Sequence, residues 1–490
     1  MNLVARRAAA LASRGREASG RRALVAGVAA LAVVGAGWAA YAADHPAAWT
    51  LYPVDLKVYW DGGLIARHAA PAYDPRLASP LYDWASPTGL KFTYTPFAAA
   101  TFALVSVVPW RVLPRLSQAV SLVALAAAAW FTMAALGCAS RRARAGAALA
   151  GMAAGLATEP VFRTLYLGQV NLVLMALILW DLTRAPRPGN RPGDQSGSRP
   201  GGRGWAGLAT GIAAGIKLTP LVFLPYLLLT RRLREAALAG AGFAATVAVG
   251  FAAAPGDSAD WWLHGLFFAG GRTGFAGWSG NQSLYGLAIR LAGSVAGATP
   301  AWVAAAIVVT VAGLLAAAQL TRAGHPLLGL LAAALVGLLD SPISWDHHWV
   351  WVMPAMMAAA GYAARAARGG RRRAAVSWLA VAAGLLLVTF PWPGGLWSVR
   401  TTGAGNFTTG LLWAAPDSPV WYYVRHGDQP WFAEYHWRGL QLLAGNAYVL
   451  SGLALLAGLV TLAVATRLSG PPGAGVAGRR VARPEAEPVA

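Results

Sequence analysis

Apolar runs, many close to the twenty or so residues a helix needs to cross a bilayer, alternate along this chain with short polar breaks. The runs lie near 23–42, 95–108, 116–137, 146–158, 164–182, 205–217, 218–230, 236–254, 300–320, 326–340, 349–364, 375–391 and 444–466. The pattern predicts an all-α polytopic membrane protein with about twelve transmembrane helices. The breaks at Arg141–Arg144, Arg184–Arg203, Arg231–Arg234, Thr321–His325 and Arg365–Arg373 are basic. Basic loops are retained in the cytoplasm, so these face inward. The first run follows Arg6, Arg7, Arg14, Arg16, Arg21 and Arg22 and reads as a signal anchor with a cytoplasmic N-terminus, residues 1–22.

With all basic breaks inside, 146–182 and 205–230 are helical hairpins whose outer tips are Glu159–Gln169 and Lys217–Pro220. The halves 205–217 and 218–230 are too short to span fully and require surrounding protein. The same scheme makes 95–108 a short or re-entrant segment. In a rival scheme 95–108 crosses and 205–230 is one kinked helix, which leaves two basic loops outside. Both schemes give about twelve spans and put residues 54–61 and 341–348 outside, and the C-terminus is read as cytoplasmic. The transmembrane domain covers 23–466, with disorder expected in the Pro-, Gly- and Arg-rich cytoplasmic loop 184–204 and tail 467–490.

Three external segments remain. The first, 43–91, holds Asp44, Asp55, Asp61, Asp74 and Asp83, and Leu56–His68 within it is suited to a short interfacial helix. The others, 255–299 and 392–443, are rich in Trp and Tyr, as an interfacial belt or as stacking platforms for a sugar.

Composition agrees with a membrane protein. Of 490 residues 57% are hydrophobic and 12% charged, where a soluble chain carries roughly a quarter charged residues. Mean hydropathy is +0.48. The net charge of +21 does not point to nucleic acid, because it comes from arginines clustered between apolar runs; the lysines are Lys57, Lys91 and Lys217. The single cysteine, Cys138, excludes an intrachain disulfide and a zinc site built from several cysteines.

Two polar islands carry the candidate chemistry: Val54–Asp61, with Asp55, Lys57, Tyr59 and Asp61, and Ser341–His348, with Asp346, His347 and His348. Ionisable residues beside membrane helices are costly and point to function. Histidine is the side chain best matched to accept a proton near neutral pH, and an adjacent carboxylate orients it. Successive helical side chains diverge by about 100°, so Asp346-His347-His348 suits a general base better than a metal site. No metal or cofactor is expected. If the reaction is group transfer outside the cell, a lipid-phosphate sugar is an available donor, and its phosphate needs cationic or hydrogen-bonding partners. Lys217, Lys91, Arg163, Arg272 and Arg290 are external cations in the preferred scheme, and Gln169, Asn171, Asn281 and Gln282 offer amides.

In six strings the chain resembles the GT-C membrane glycosyltransferases, specifically the actinobacterial polyprenyl-phosphate-mannose-dependent α-1,2-mannosyltransferases. They are Asp55–Gly63, Phe92–Pro96, Leu167–Asn171, Ile216–Pro220, Gly280–Leu284 and Ser341–His348, in order over about residues 20–465. Thr95 stands where that family usually has a second proline, a departure expected to affect helix entry. The resemblance implies a GT-C fold and an inverting transfer on the external face of the plasma membrane, from a polyprenyl-phosphate sugar to a glycolipid or lipoglycan hydroxyl. It implies Asp55 as the essential carboxylate, the His347/His348 pair with Asp346 as the base, and Lys57, Tyr59, Asp61, Lys91, Tyr94, Gln169, Asn171, Lys217, Asn281, Gln282 and Arg290 around donor and acceptor. Mannose is the expected sugar. An arabinofuranosyltransferase and a lipid or sugar transporter or flippase are the alternatives.

Overall fold

The computed structural model describes residues 3–44, 51–69, 77, 79–83, 90–184, 204–268, 272, 274–391, 410–416 and 432–468. The loop and tail expected to be disordered, Asp74, and most of 392–443 lie outside these residues. The helices are α1 (Leu3–Asp44), α2 (Val54–Ala66), α3 (Pro80–Asp83), α4 (Pro96–Val105), α5 (Leu113–Ala135), α6 (Arg141–Leu156), α7 (Glu159–Leu167), α8 (Asn171–Thr183), α9 (Leu208–Ile216), α10 (Phe223–Leu229), α11 (Leu233–Ala253), α12 (Pro255–Trp262), α13 (Leu284–Ala292), α14 (Val295–Arg322), α15 (Pro326–Asp340), α16 (Val352–Arg368), α17 (Arg372–Thr389), α18 (Gly439–Gly445) and α19 (Ala447–Leu468). Six of them contain segments long and apolar enough to cross a membrane: Glu17–Ala43, Leu113–Ala135, Leu233–Ala253, Val295–Arg322, Arg372–Thr389 and Ala447–Leu468. The expected count of about twelve is approached only by adding the bent pair α6–α7 and the shorter apolar helices.

Small residues let these helices approach closely, as packing within lipid requires. Gly20 lies against Arg142, a β-carbon on Gly27 would come within 2.1 Å of the Gly146 carbonyl oxygen, and the Trp38 indole donates to Leu156 O at 2.8 Å. Thus α1 and α6 run parallel, and the ion pair between Glu17 and Arg142 puts the Arg141–Arg144 break at the arginine-rich end of α1. Similarly Gly207, Gly211 and Gly215 face Glu235, Ala239 and Thr246, so α9 and α11 are parallel too. The chain must reverse between them, through a 3-10 turn (Thr219–Val222) and α10, as the hairpin scheme requires and a single kinked helix does not. α4 is short, and the segment after it stays against α2, with the Trp60 indole donating to Val108 O at 3.1 Å.

The apolar run 164–182 does not continue as one helix. It breaks at Gly168, which closes α7 at φ 73°, a left-handed conformation that favours glycine. A β-carbon there would also lie 2.6 Å from that of Leu56. The short α7, bent 78° from α6, forms the tip between α6 and α8. α2 occupies the position expected of an interfacial helix, yet it buries Leu56, Val58, Tyr59, Asp61, Gly62, Gly63, Leu64 and Ile65, more than one face, so protein covers it on several sides. Thr95 caps α4: its hydroxyl accepts from Ala98 N at 3.1 Å and donates to Gly215 O. The departure at this position therefore acts on helix entry and ties α4 to the end of α9.

Candidate active site

The two polar islands meet the tip of the 146–182 hairpin. On α2, Asp55 is partly exposed, and its Oδ2 accepts a hydrogen bond from Gln169 Nε2 at 2.7 Å. Gln169 Oε1 accepts from the buried Tyr59 hydroxyl at 2.6 Å, which lies 2.8 Å from the Tyr94 hydroxyl. Gln169 therefore joins the first island to Phe92–Pro96. Two residues on, Asn171 opens α8 and donates to His347 O at 2.8 Å, and Thr164 adds a second bond to that carbonyl at 3.0 Å. Together they tie the hairpin tip to the second island.

The second island folds as a 3-10 turn, Asp346–Trp351. It is held from the other side by Gly280–Gln282, which pairs antiparallel with it: Gln282 N donates to Ser344 O and Asp346 N to Gly280 O, both at 2.8 Å. Asn281, fully buried, donates to Ala276 O and Pro342 O and accepts from Ser344 N. Gln282 donates to Ser279 O and Gly445 O and accepts from Tyr448 N and Val449 N. Arg290 donates to Asn446, Gly277 O, Trp278 O and Asn281 O. These three residues, expected around the substrates, here spend their polar groups on the framework and brace the loop that presents the histidines.

Within the turn, Asp346 Oδ1 accepts from His347 N at 2.7 Å and lies 2.9 Å from His347 Nδ1, while Asp346 Oδ2 accepts from Arg163 Nε at 3.1 Å. The carboxylate cannot donate, so the His347 proton sits on Nδ1. Its Nε2 is buried without a partner among the described residues. His348 turns the other way: its Nε2 is 2.8 Å from Lys217 Nζ. An ammonium only donates, which makes this nitrogen the acceptor and puts the His348 proton on Nδ1. Burial, Lys217 and His347 hold His348 well below the usual imidazole range, so it is neutral at physiological pH.

Lys217 ends α9 in an extended conformation, φ −141°, and also donates to Asn171 Oδ1 at 2.9 Å. Burial pulls its ammonium down to about 7, against the field of Asp55. Lys217, Asn171 and His348 are the main polar groups of a cleft whose remaining wall is largely apolar, from α8, α10 and α15, including Leu174, Met175, Phe223 and Leu338. The lining combines a cation at one end with apolar side chains along the rest. Asp55, meanwhile, is the carboxylate of the two islands that keeps access to solvent.

The other expected cations are placed differently. Lys57 pairs with Asp61 one turn along α2 and lies over the Trp60 and Trp110 rings. Lys91 is exposed. Arg272 donates to Tyr82 O at 2.6 Å, and Arg163 is buried in its ion pair with Asp346. Glu159, not singled out from the sequence, lies fully buried beside Arg163. The i,i+4 spacing of Glu159 and Arg163 was visible; their partner Asp346, 183 residues beyond Arg163, was not.

Residues 92–342 match glycosyltransferase family 87. The chain belongs to this family. It is 35% identical over 340 residues to a polyprenol-phosphate-mannose-dependent α-(1-2)-phosphatidylinositol pentamannoside mannosyltransferase of Mycobacterium tuberculosis, covering 69% of this chain and 72% of the relative. A Mycolicibacterium smegmatis protein of the same description is 35% identical over 351 residues, 70% of this chain and 78% of the relative. A second M. tuberculosis protein, a polyprenol-phosphate-mannose-dependent α-(1-2)-phosphatidylinositol mannoside mannosyltransferase, is 33% identical over 63% of this chain and 70% of its own length. No solved structure matches. Membership makes the chain a multi-pass membrane glycosyltransferase, and the expectation of an enzyme stands against the transporter alternative.

Proposed function

We propose that this glycosyltransferase moves mannose from a polyprenyl-phosphate donor to a hydroxyl of a phosphatidylinositol-mannoside-type glycolipid, with the site on the external face and both termini in the cytoplasm. The observation that carries the reading is the Lys217–Asn171–His348 group at the polar end of an apolar cleft, beside the partly open Asp55. The names of the relatives support mannose over arabinose. The donor's isoprenoid chain lies along the apolar wall, and its phosphate meets the Lys217 ammonium and the neutral His348. The acceptor hydroxyl attacks the sugar's anomeric carbon from the face opposite the phosphate. The new glycosidic C–O bond forms as the bond to phosphate oxygen breaks, with inversion.

The hydroxyl proton passes to Asp55. We assign this role to Asp55 and not to the expected histidine pair, a choice supported by the contact of His348 Nε2 with Lys217 and the burial of His347 Nε2. Phosphate charge grows as the bond breaks, so a cation fixed in place beforehand stabilises the transition state more than the ground state. No residue is asked to bind a metal.

Membranes from cells expressing the chain are incubated with polyprenyl-phosphate mannose or polyprenyl-phosphate arabinose and a phosphatidylinositol mannoside. A product heavier by one hexose, formed from the mannose donor, is expected; a pentose product from the arabinose donor alone overturns the sugar assignment. For the orientation, a Lys91→Cys variant reacts with an impermeant maleimide in intact cells, whereas Arg372→Cys reacts only after lysis. The reverse pattern rejects the external site.

A further inference from the structure

Beneath the site lies a charge cluster that the transfer step does not use. Arg163, Asp346 and Glu159 are 2%, 2% and 0% exposed. Arg163 Nε is 3.1 Å from Asp346 and 3.7 Å from Glu159, so one guanidinium faces two acids. The two acids therefore share one buried cation at a single nitrogen. One guanidinium balances one carboxylate, so in a dry cluster the second acid keeps its proton, as in other buried acid pairs.

The surroundings say which acid carries it. Asp346 has the closer guanidinium contact and two donors from His347, all of which favour its ionised form. Glu159 is farther from Arg163, and its other partners are neutral donors: Trp413 Nε1 at 3.3 Å on Oε1 and the Tyr448 hydroxyl at 2.9 Å on Oε2. Through these it joins α7, the Leu411–Ala414 turn and α19 around the turn that holds the histidines.

We propose that Glu159 is a positioning residue that works as the neutral acid and, with Arg163, fixes the turn that carries His347 and His348. This role rests on the proposed reaction only for its effect on rate; the protonation state is independent of it. A neutral group is what the position requires, so an amide serves in place of the acid and an ionised carboxylate there would set two like charges together in a dry site. Asp346 differs, because Arg163 needs a counter-charge.

Two measurements on the full-length protein test this. In the first, kcat and donor KM are compared for the parent, Glu159→Gln, Glu159→Ala and Asp346→Asn, with polyprenyl-phosphate mannose as donor. Glu159→Gln is expected to keep kcat within about threefold of the parent, with a superimposable pH profile, while Glu159→Ala and Asp346→Asn lose at least about tenfold in kcat with little change in KM. A Glu159→Gln variant as impaired as Glu159→Ala overturns the proposal, and so does a fully active Glu159→Ala.

In the second, infrared difference spectra of purified parent and Glu159→Gln are recorded in light and heavy water. The parent is expected to show the deuterium-sensitive carbonyl band of a protonated carboxylic acid, absent from the variant. Ionised carboxylate bands in its place overturn the neutral-acid assignment. This second measurement needs no turnover, so a chain that transferred no mannose would fail the proposed function while still deciding the state of Glu159.

Discussion

Both islands present a carboxylate next to a membrane helix, and the structure treats the two carboxylates differently. Asp346 is closely held, with a guanidinium on one oxygen and the backbone N and ring Nδ1 of His347 on the other. Asp55 has one amide partner, Gln169, and stays partly open. Asp346 belongs to the lock that holds the turn, and in the proposed reaction Asp55 belongs to the chemistry. A buried polar group whose bonds are complete is fixing structure, whereas one left incomplete at a cleft is available to substrate.

The contrast is tested most strongly at the lock. Arg163→Ala leaves Asp346 buried without a counter-charge and is expected to destabilise the protein by about 3–5 kcal/mol, read as a lower unfolding midpoint in detergent; an unchanged midpoint would put the lock elsewhere. Lys217→Ala acts at the open side. It should lower donor kcat/KM by about 10–100-fold, the worth of a hydrogen bond to a charged group, with a fall in kcat because the cation acts most on the departing phosphate, while stability hardly moves. Gln282→Ala returns to the framework: it strips partners from two carbonyls and two amides and costs about 1–3 kcal/mol, with KM for donor unchanged if the residue is a brace.

The smallest effect is one of pH. Lys217 in the free enzyme is charged below about 7 and loses its charge above it. Donor kcat/KM, which reports the free enzyme, is therefore expected to fall as pH rises through about 7. Lys217→Arg stays charged and should remove that fall. A profile unchanged by the substitution assigns the titration to another group.

Much of this was legible in the chain. Basic breaks fixed which helix ends lie together, and the parallel pairing of α1 with α6 follows them. The strings that hold Asp55, Tyr59, Tyr94, Gln169, Asn171, Lys217, His347 and His348 do converge. What could not be read was the direction each side chain takes. Asn281, Gln282 and Arg290 have the chemistry of ligand-binding residues, yet nearby main-chain groups and partners from remote segments, Pro342, Gly445 and Asn446 among them, claim them. Lys57 is expected around donor and acceptor, and its i,i+4 neighbour Asp61 takes it. Glu159 was passed over because its meaning depends on Asp346, a partner supplied only by the tertiary fold. Local spacing reveals a helix face or an ion pair; whether an amide faces a cleft or a carbonyl depends on packing between remote segments.

The division of roles between the two carboxylates is tested most directly by Asp55→Asn, with donor binding and single-turnover transfer of labelled mannose measured on the same purified sample. The account predicts donor binding close to that of the parent and transfer slower by about 10²–10⁴-fold, the loss expected when a proton acceptor is removed. Transfer at the parent's rate would contradict it and return the base to the histidine pair.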